Sequence, residues 1–103
     1  MMRVRDGISR DLVRNANDPF FLASAEKRAL LREASAAIRC YQALAAISGP
    51  MTNDPARNIA VELSQFADDL DFRYADETKA IMLEAADTIR LLRLMLGIKQ
   101  ESV

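Results

Sequence analysis

The sequence predicts an all-α fold, a four-helix up-down arrangement built from two tandem-duplicated helical hairpins, and three observations carry that expectation. The chain of 103 residues holds only three glycines and three prolines, and Ala, Leu, Arg and Glu dominate over the strand-favouring Val and Thr. Apolar residues recur at helical spacing in four stretches parted by short polar or proline-bearing breaks. Shifting the chain by 51 positions, without a gap, aligns residues 8–47 with 59–98 and gives 12 identities in 40. Composition alone would give about three, so a duplicated helix-loop-helix unit is the expected origin.

The first helix is expected over about residues 4–16, where Val4, Ile8, Leu12 and Val13 share one face and Arg3, Arg10 and Arg14 another. Asn15-Ala16-Asn17-Asp18-Pro19 stops it, with Asp18 able to cap and Pro19 to begin a new turn. The second helix, expected from Ser24 or already from Pro19, draws a broad apolar stripe from Leu30, Leu31, Ala34, Ala37, Ile38, Tyr41, Leu44, Ala45 and Ile47, and ends at Ser48-Gly49-Pro50. A linker over 49–54 leads to Asp54-Pro55 and a third helix through Ile59, Leu63, Phe66 and Ala67. Asp68-Asp69-Leu70-Asp71 interrupts the pattern.

The fourth helix is expected from about Asp76 to Ile98, with Ile81, Ala85, Thr88, Ile89, Leu92, Met95 and Leu96 facing inward. Phe21 and Phe72 occupy equivalent inter-helix corners, and both are expected to be buried there. The whole is read as one helical domain over 1–103, with repeat units at about 4–48 and 55–98. Six linker residues span at most about 20 Å, so the third helix must start near where the second ended, and the second and fourth are expected to run roughly parallel.

Charge is divided unevenly along the chain. Residues 1–50 carry 8 Lys/Arg against 5 Asp/Glu and residues 51–103 carry 6 against 10, so the halves balance at +3 and −4. Opposed halves can attract within one chain or between copies. Met1-Met2-Arg3-Val4-Arg5-Asp6 lacks the apolar stretch of a secretory leader, no apolar run approaches the ~20 residues that cross a bilayer, and Cys40 is the lone cysteine. A cytoplasmic, bacterial protein with no membrane contact is the expectation, and Cys40 reads as a packed small hydrophobe.

The chain has no histidine, which removes histidine phosphorelay, Ser-His and Cys-His nucleophilic catalysis, histidine haem ligation and Cys/His zinc sites. Its three glycines stand alone at positions 7, 49 and 97, so no phosphate-cradling loop is present. The run from Asp68 to Glu77 holds five carboxylates in ten residues, yet Arg73 intrudes and a calcium loop's central glycine is missing. It reads as a solvated corner whose acids favour the start of the fourth helix. Glu84-Ala85-Ala86-Asp87 resembles the Glu-x-x-Asp half of the magnesium site in all-α nucleotide pyrophosphohydrolases of the MazG type. The partner Glu-x-x-Glu of that family occurs nowhere in this chain. The expectation is therefore no enzyme, no cofactor, no metal and no catalytic residue.

Two surfaces remain as candidates. Leu91-Leu92-Arg93-Leu94-Met95-Leu96-Gly97-Ile98 is apolar around nearly the whole helix, and one bundle face covers at most half of that circumference. Leu91, Leu94, Met95 and Ile98 are accordingly expected in a protein interface, most simply of a homodimer, with a heterologous protein partner as the other occupant. The stretch Leu83 to Arg93 is similar to helices in many small phage and prophage proteins, which implies an adaptor or inhibitor. The alternative is a nucleic-acid-binding regulator making phosphate contacts through Arg3, Arg5, Arg10 and Arg14. Asp6 and Asp11 in the same helix and an acidic isoelectric point near 5.4 weigh against it.

Overall fold

Four α-helices account for most of the residues that the computed structural model describes, 7–18, 23–48 and 59–98. They are α1 (Ile8–Asn17), α2 (Ser24–Ser48), α3 (Ile59–Asp68) and α4 (Ala75–Met95), with a single 3-10 turn at Leu70–Phe72 and no strand among the described residues. The expected start of the first helix at residue 4 lies outside that range. Gly7 opens α1 at a φ of 91°, a left-handed conformation that side-chain-bearing residues rarely adopt. Glu26 accepts a hydrogen bond from the backbone N–H of Ala23 at 3.4 Å, and Glu77 does the same for Tyr74 at 3.4 Å. Each long helix therefore begins with a glutamate three residues into the sequence reaching back over its first turn, which also suits the helix dipole.

Each short helix packs chiefly on the long helix of the other half, α1 on α4 and α3 on α2, while α2 and α4 meet between them. The helices of one half touch each other far less, so self-contained hairpins do not organise the packing. Direction follows from the contacts. Arg28 and Arg32 of α2 reach the Ala67 carbonyl and Asp68 at the end of α3, while Ser35 reaches the Ala60 carbonyl near its start, so α3 lies antiparallel to α2. Ser24 and Lys27 of α2 share a cavity wall with Ala75, Thr78 and Lys79 of α4, and Arg93 meets Tyr41 toward the opposite end. The two long helices run side by side in one direction.

The buried positions repeat with the sequence. Ile8, Leu12 and Ala16 of α1 are buried, as are their 51-residue equivalents Ile59, Leu63 and Ala67 of α3. Leu31, Ala34, Ile38 and Tyr41 of α2 are buried, and so are Met82, Ala85, Ile89 and Leu92 of α4. Together with Leu30, Ala37, Ala60, Phe66, Leu70 and Ala86 they form one core cluster, against which Val13, Ile81, Leu83, Leu96 and Ile98 are partly buried. Ser35 is the polar member of the α2–α3 contact. Its hydroxyl donates to the Ala60 carbonyl at 2.6 Å and lies 2.9 Å from the Ser64 hydroxyl, which leaves that buried group satisfied.

Opposite charge joins the two halves at the acidic corner. Arg28 pairs with Asp71 at 3.2 Å and Arg32 with Asp68 at 2.9 Å. Arg73, whose position argued against a calcium loop, bridges Asp69 at 3.7 Å and Glu77 at 3.2 Å and lies over the Phe66 ring at 5.1 Å. The corner differs from expectation at Phe72, which is 87% exposed rather than buried. A 3-10 turn of three residues turns one side chain per turn inward, and here that side chain is Leu70, leaving Phe72 outside. Phe21 lies outside the described residues.

Candidate protein-docking surface

The unequal lengths of the helices leave a group of apolar side chains exposed. α1 has 10 residues and spans about 15 Å, whereas α4 has 21 and spans about 32 Å. Asn15 and Ala16 at the end of α1 lie beside Thr78 and Lys79 at the start of α4, so α1 runs antiparallel from there and covers only the first half of its partner. Beyond that cover Leu91 is 57% exposed, Leu94 69% and Met95 54%. α2 outruns α3 in the same way, and Ala43 and Leu44 near its end are exposed. By the 51-residue shift, Ala43 and Leu44 correspond to Leu94 and Met95.

Beneath this surface the same segment is tightly held. Leu92 and Arg93 are buried, and the Arg93 guanidinium donates from Nη1 to the Tyr41 hydroxyl at 2.7 Å, with its carbon 5.9 Å from the ring centre. Past Met95 the chain reverses at Gly97, whose φ is 69°. The Gly97 N–H donates to the Leu94 carbonyl at 3.2 Å and the Ile98 N–H to the Arg93 carbonyl at 2.8 Å, the paired bonds of a Schellman motif. Met95, expected both on the inward face and in the interface, is 54% exposed, so the inward expectation fails, and Ile98, expected in the interface, packs partly buried against the core beyond the reversal. The helix ends three residues earlier than the spacing suggested.

Arg10 and Arg14 are exposed on α1, and Arg3 and Arg5 lie outside the described residues. Cys40 is half-buried on α2. Glu84 is half-buried and Asp87 exposed, and among the described residues no three acidic or sulfur-bearing side chains are grouped to hold a metal ion. No described helix is long and apolar enough to cross a membrane.

Sequence reasoning missed the Tyr41–Arg93 bond and the inward turn of Ile98. A signal for the second was present, since a lone glycine followed by an apolar residue at the end of a helical pattern is the mark of a Schellman cap. Nothing in the helical spacing distinguishes Arg93 from a solvated arginine.

Compared with protein-family models, with curated proteins and with solved structures, the chain matches none.

Proposed function

We propose that this protein is a small non-enzymatic protein-interaction module whose exposed apolar surface at the end of α4 pairs with the same surface of a second copy. The observation that carries the reading is the exposure of Leu91, Leu94 and Met95 on a helix whose neighbouring residues are buried. Together they expose an apolar area of a few hundred Å², the size at which a patch on a monomer commonly marks an interaction site. A second copy is the favoured occupant because a two-fold interface must be self-complementary, and an uncharged apolar patch complements itself where a charged one repels itself. Its partner-bound setting is the bacterial cytoplasm, in the manner of the phage and prophage adaptors or inhibitors that the Leu83–Arg93 stretch resembles.

The architecture behind this reading is a tandem duplication of a short helix and a long helix, folded up-down with the short helices exchanged between the halves. The matching burial of Ile8/Ile59, Leu12/Leu63, Ala34/Ala85 and Ile38/Ile89 supports it, and so do the equivalent Glu26 and Glu77 hydrogen bonds. Dilution in a proton–nitrogen correlation experiment tests the function. The amide signals of Leu91, Leu94 and Met95 are expected to move with protein concentration and to be insensitive to salt. Signals that ignore concentration, combined with duplex DNA binding that weakens steeply with salt, would favour the arginine-based alternative instead.

A further inference from the structure

The two halves of the chain carry opposite charge, and each half covers the buried face of the other. Within a half the helices touch little, so the core lies where the halves meet, α1 on α4, α2 on α4 and α3 on α2. We propose that this meeting surface also joins two copies of the chain, the first half of one taking the second half of the other and reciprocally. Each lobe of such a pair repeats the contacts of the closed chain, with half of its core supplied by the partner copy.

Specificity lies where the two repeats differ. Arg28 pairs with Asp71 at 3.2 Å and Arg32 with Asp68 at 2.9 Å, while the Ser35 hydroxyl lies 2.9 Å from that of Ser64. All three contacts join the first half to the second. Their 51-residue equivalents are Lys79 and Phe20, Leu83 and Asn17, Ala86 and Val13, and none of these can make the same bond. Two second halves would set Leu83 in place of Arg32 and Ala86 in place of Ser35, so Asp68 and Ser64 would lose those partners. Two first halves would offer Arg28 and Arg32 the residues Phe20 and Asn17 instead of aspartates. The balances of +3 over residues 1–50 and −4 over 51–103 act in the same sense. The partner that fits either half is therefore the unlike half, whether it belongs to the same chain or to another.

Chain concentration selects between the two forms. Residues 49–58 join the halves, and a connection this short sets an effective concentration of roughly millimolar for one half at the other. Because the lobes are alike, the exchanged pair competes once chains fold at a comparable concentration. Interconversion requires the halves to part and the core to open, so exchange is reached by refolding and not by concentrating the folded chain. It makes no use of the apolar surface at the end of α4.

Two full-chain variants test the exchange, both carrying Leu94→Glu/Met95→Glu so that the apolar surface contributes no pairing. One adds Arg28→Asp/Arg32→Asp and the other Asp68→Arg/Asp71→Arg, so each alone sets like charges across its own halves. Only a pair made of one chain of each variant restores opposite charge in both lobes. Co-refolded from urea at about 1 mM, the two are expected to give a mixed species of two 11.5 kDa chains. That species is expected to unfold about 5 °C above either variant alone. A second arm stands whether or not the charge variants fold by themselves. Chains altered only by Leu94→Glu/Met95→Glu, refolded in the same way, are expected to yield a two-chain fraction that persists on dilution and is absent after refolding at micromolar concentration. Single chains throughout in either arm, or variants that pair with themselves as readily as with each other, would overturn the proposal.

Discussion

Arg93 donates to the Tyr41 hydroxyl at 2.7 Å and thereby ties α4 to α2 beneath the apolar surface. The guanidinium belongs to a residue only 8% exposed, so its charge is held away from water and depends on partners such as this hydroxyl. Replacing Tyr41 by Phe keeps the ring and removes the acceptor. The variant is expected to lose about 1–3 kcal/mol of stability in urea unfolding, and a loss below about 0.5 kcal/mol would show that Arg93 does not rely on this bond.

Asn15→Leu is expected to act in the opposite direction. Its two amide atoms are buried without partners among the described residues, and the larger but similarly branched leucine removes that penalty while adding apolar burial. A gain of about 1–2 kcal/mol in the same unfolding measurement is expected, and a destabilised variant would mean that the amide is satisfied in solution.

Leu12 and Leu63 are fully buried at equivalent places on the two short helices. Truncation of either to Ala leaves a cavity against the opposing long helix and should cost about 2–5 kcal/mol. Because the two sites are related by the repeat, the two losses should agree within about 1 kcal/mol. A variant of one that unfolds the chain while the other is tolerated would argue against equivalent packing.

The two inter-half ion pairs should differ in weight. Arg32, with its side chain 57% exposed, pairs with Asp68 alone among the described residues, and Arg32→Met should cost under about 1 kcal/mol. Arg28 also donates from Nε to the Ala67 carbonyl at 2.9 Å, at the end of α3, so Arg28→Met should cost more, about 1–2 kcal/mol. Equal losses in thermal unfolding would show that the carbonyl contact contributes nothing.

Helical spacing made the buried faces legible because a stripe such as Leu31, Ala34, Ile38 and Tyr41 depends only on local periodicity. The repeat showed which residues are equivalent, and Ile8/Ile59 and Ile38/Ile89 are indeed buried together. Partner choice was not legible. A short linker requires that consecutive helices lie near each other at one end, but it does not decide whether α1 spends its apolar face on α2 or on α4. The corner residues were also misread at Phe72, because a 3-10 turn breaks the period that would have placed it. Of the candidate surface, Leu91 and Leu94 could be read from an apolar excess that one bundle face cannot cover, whereas the fate of Ile98 rests on the φ of Gly97.

Sedimentation equilibrium of the natural sequence beside Leu94→Glu/Met95→Glu tests the pairing of two copies most directly. Both side chains are more than half exposed, so the substitutions leave the core untouched and place like charges across a self-paired surface. At high micromolar concentration the natural sequence should sediment as two 11.5 kDa chains and the variant as one, with helical circular dichroism unchanged. A natural sequence that sediments as a single 11.5 kDa chain across that range would contradict the account.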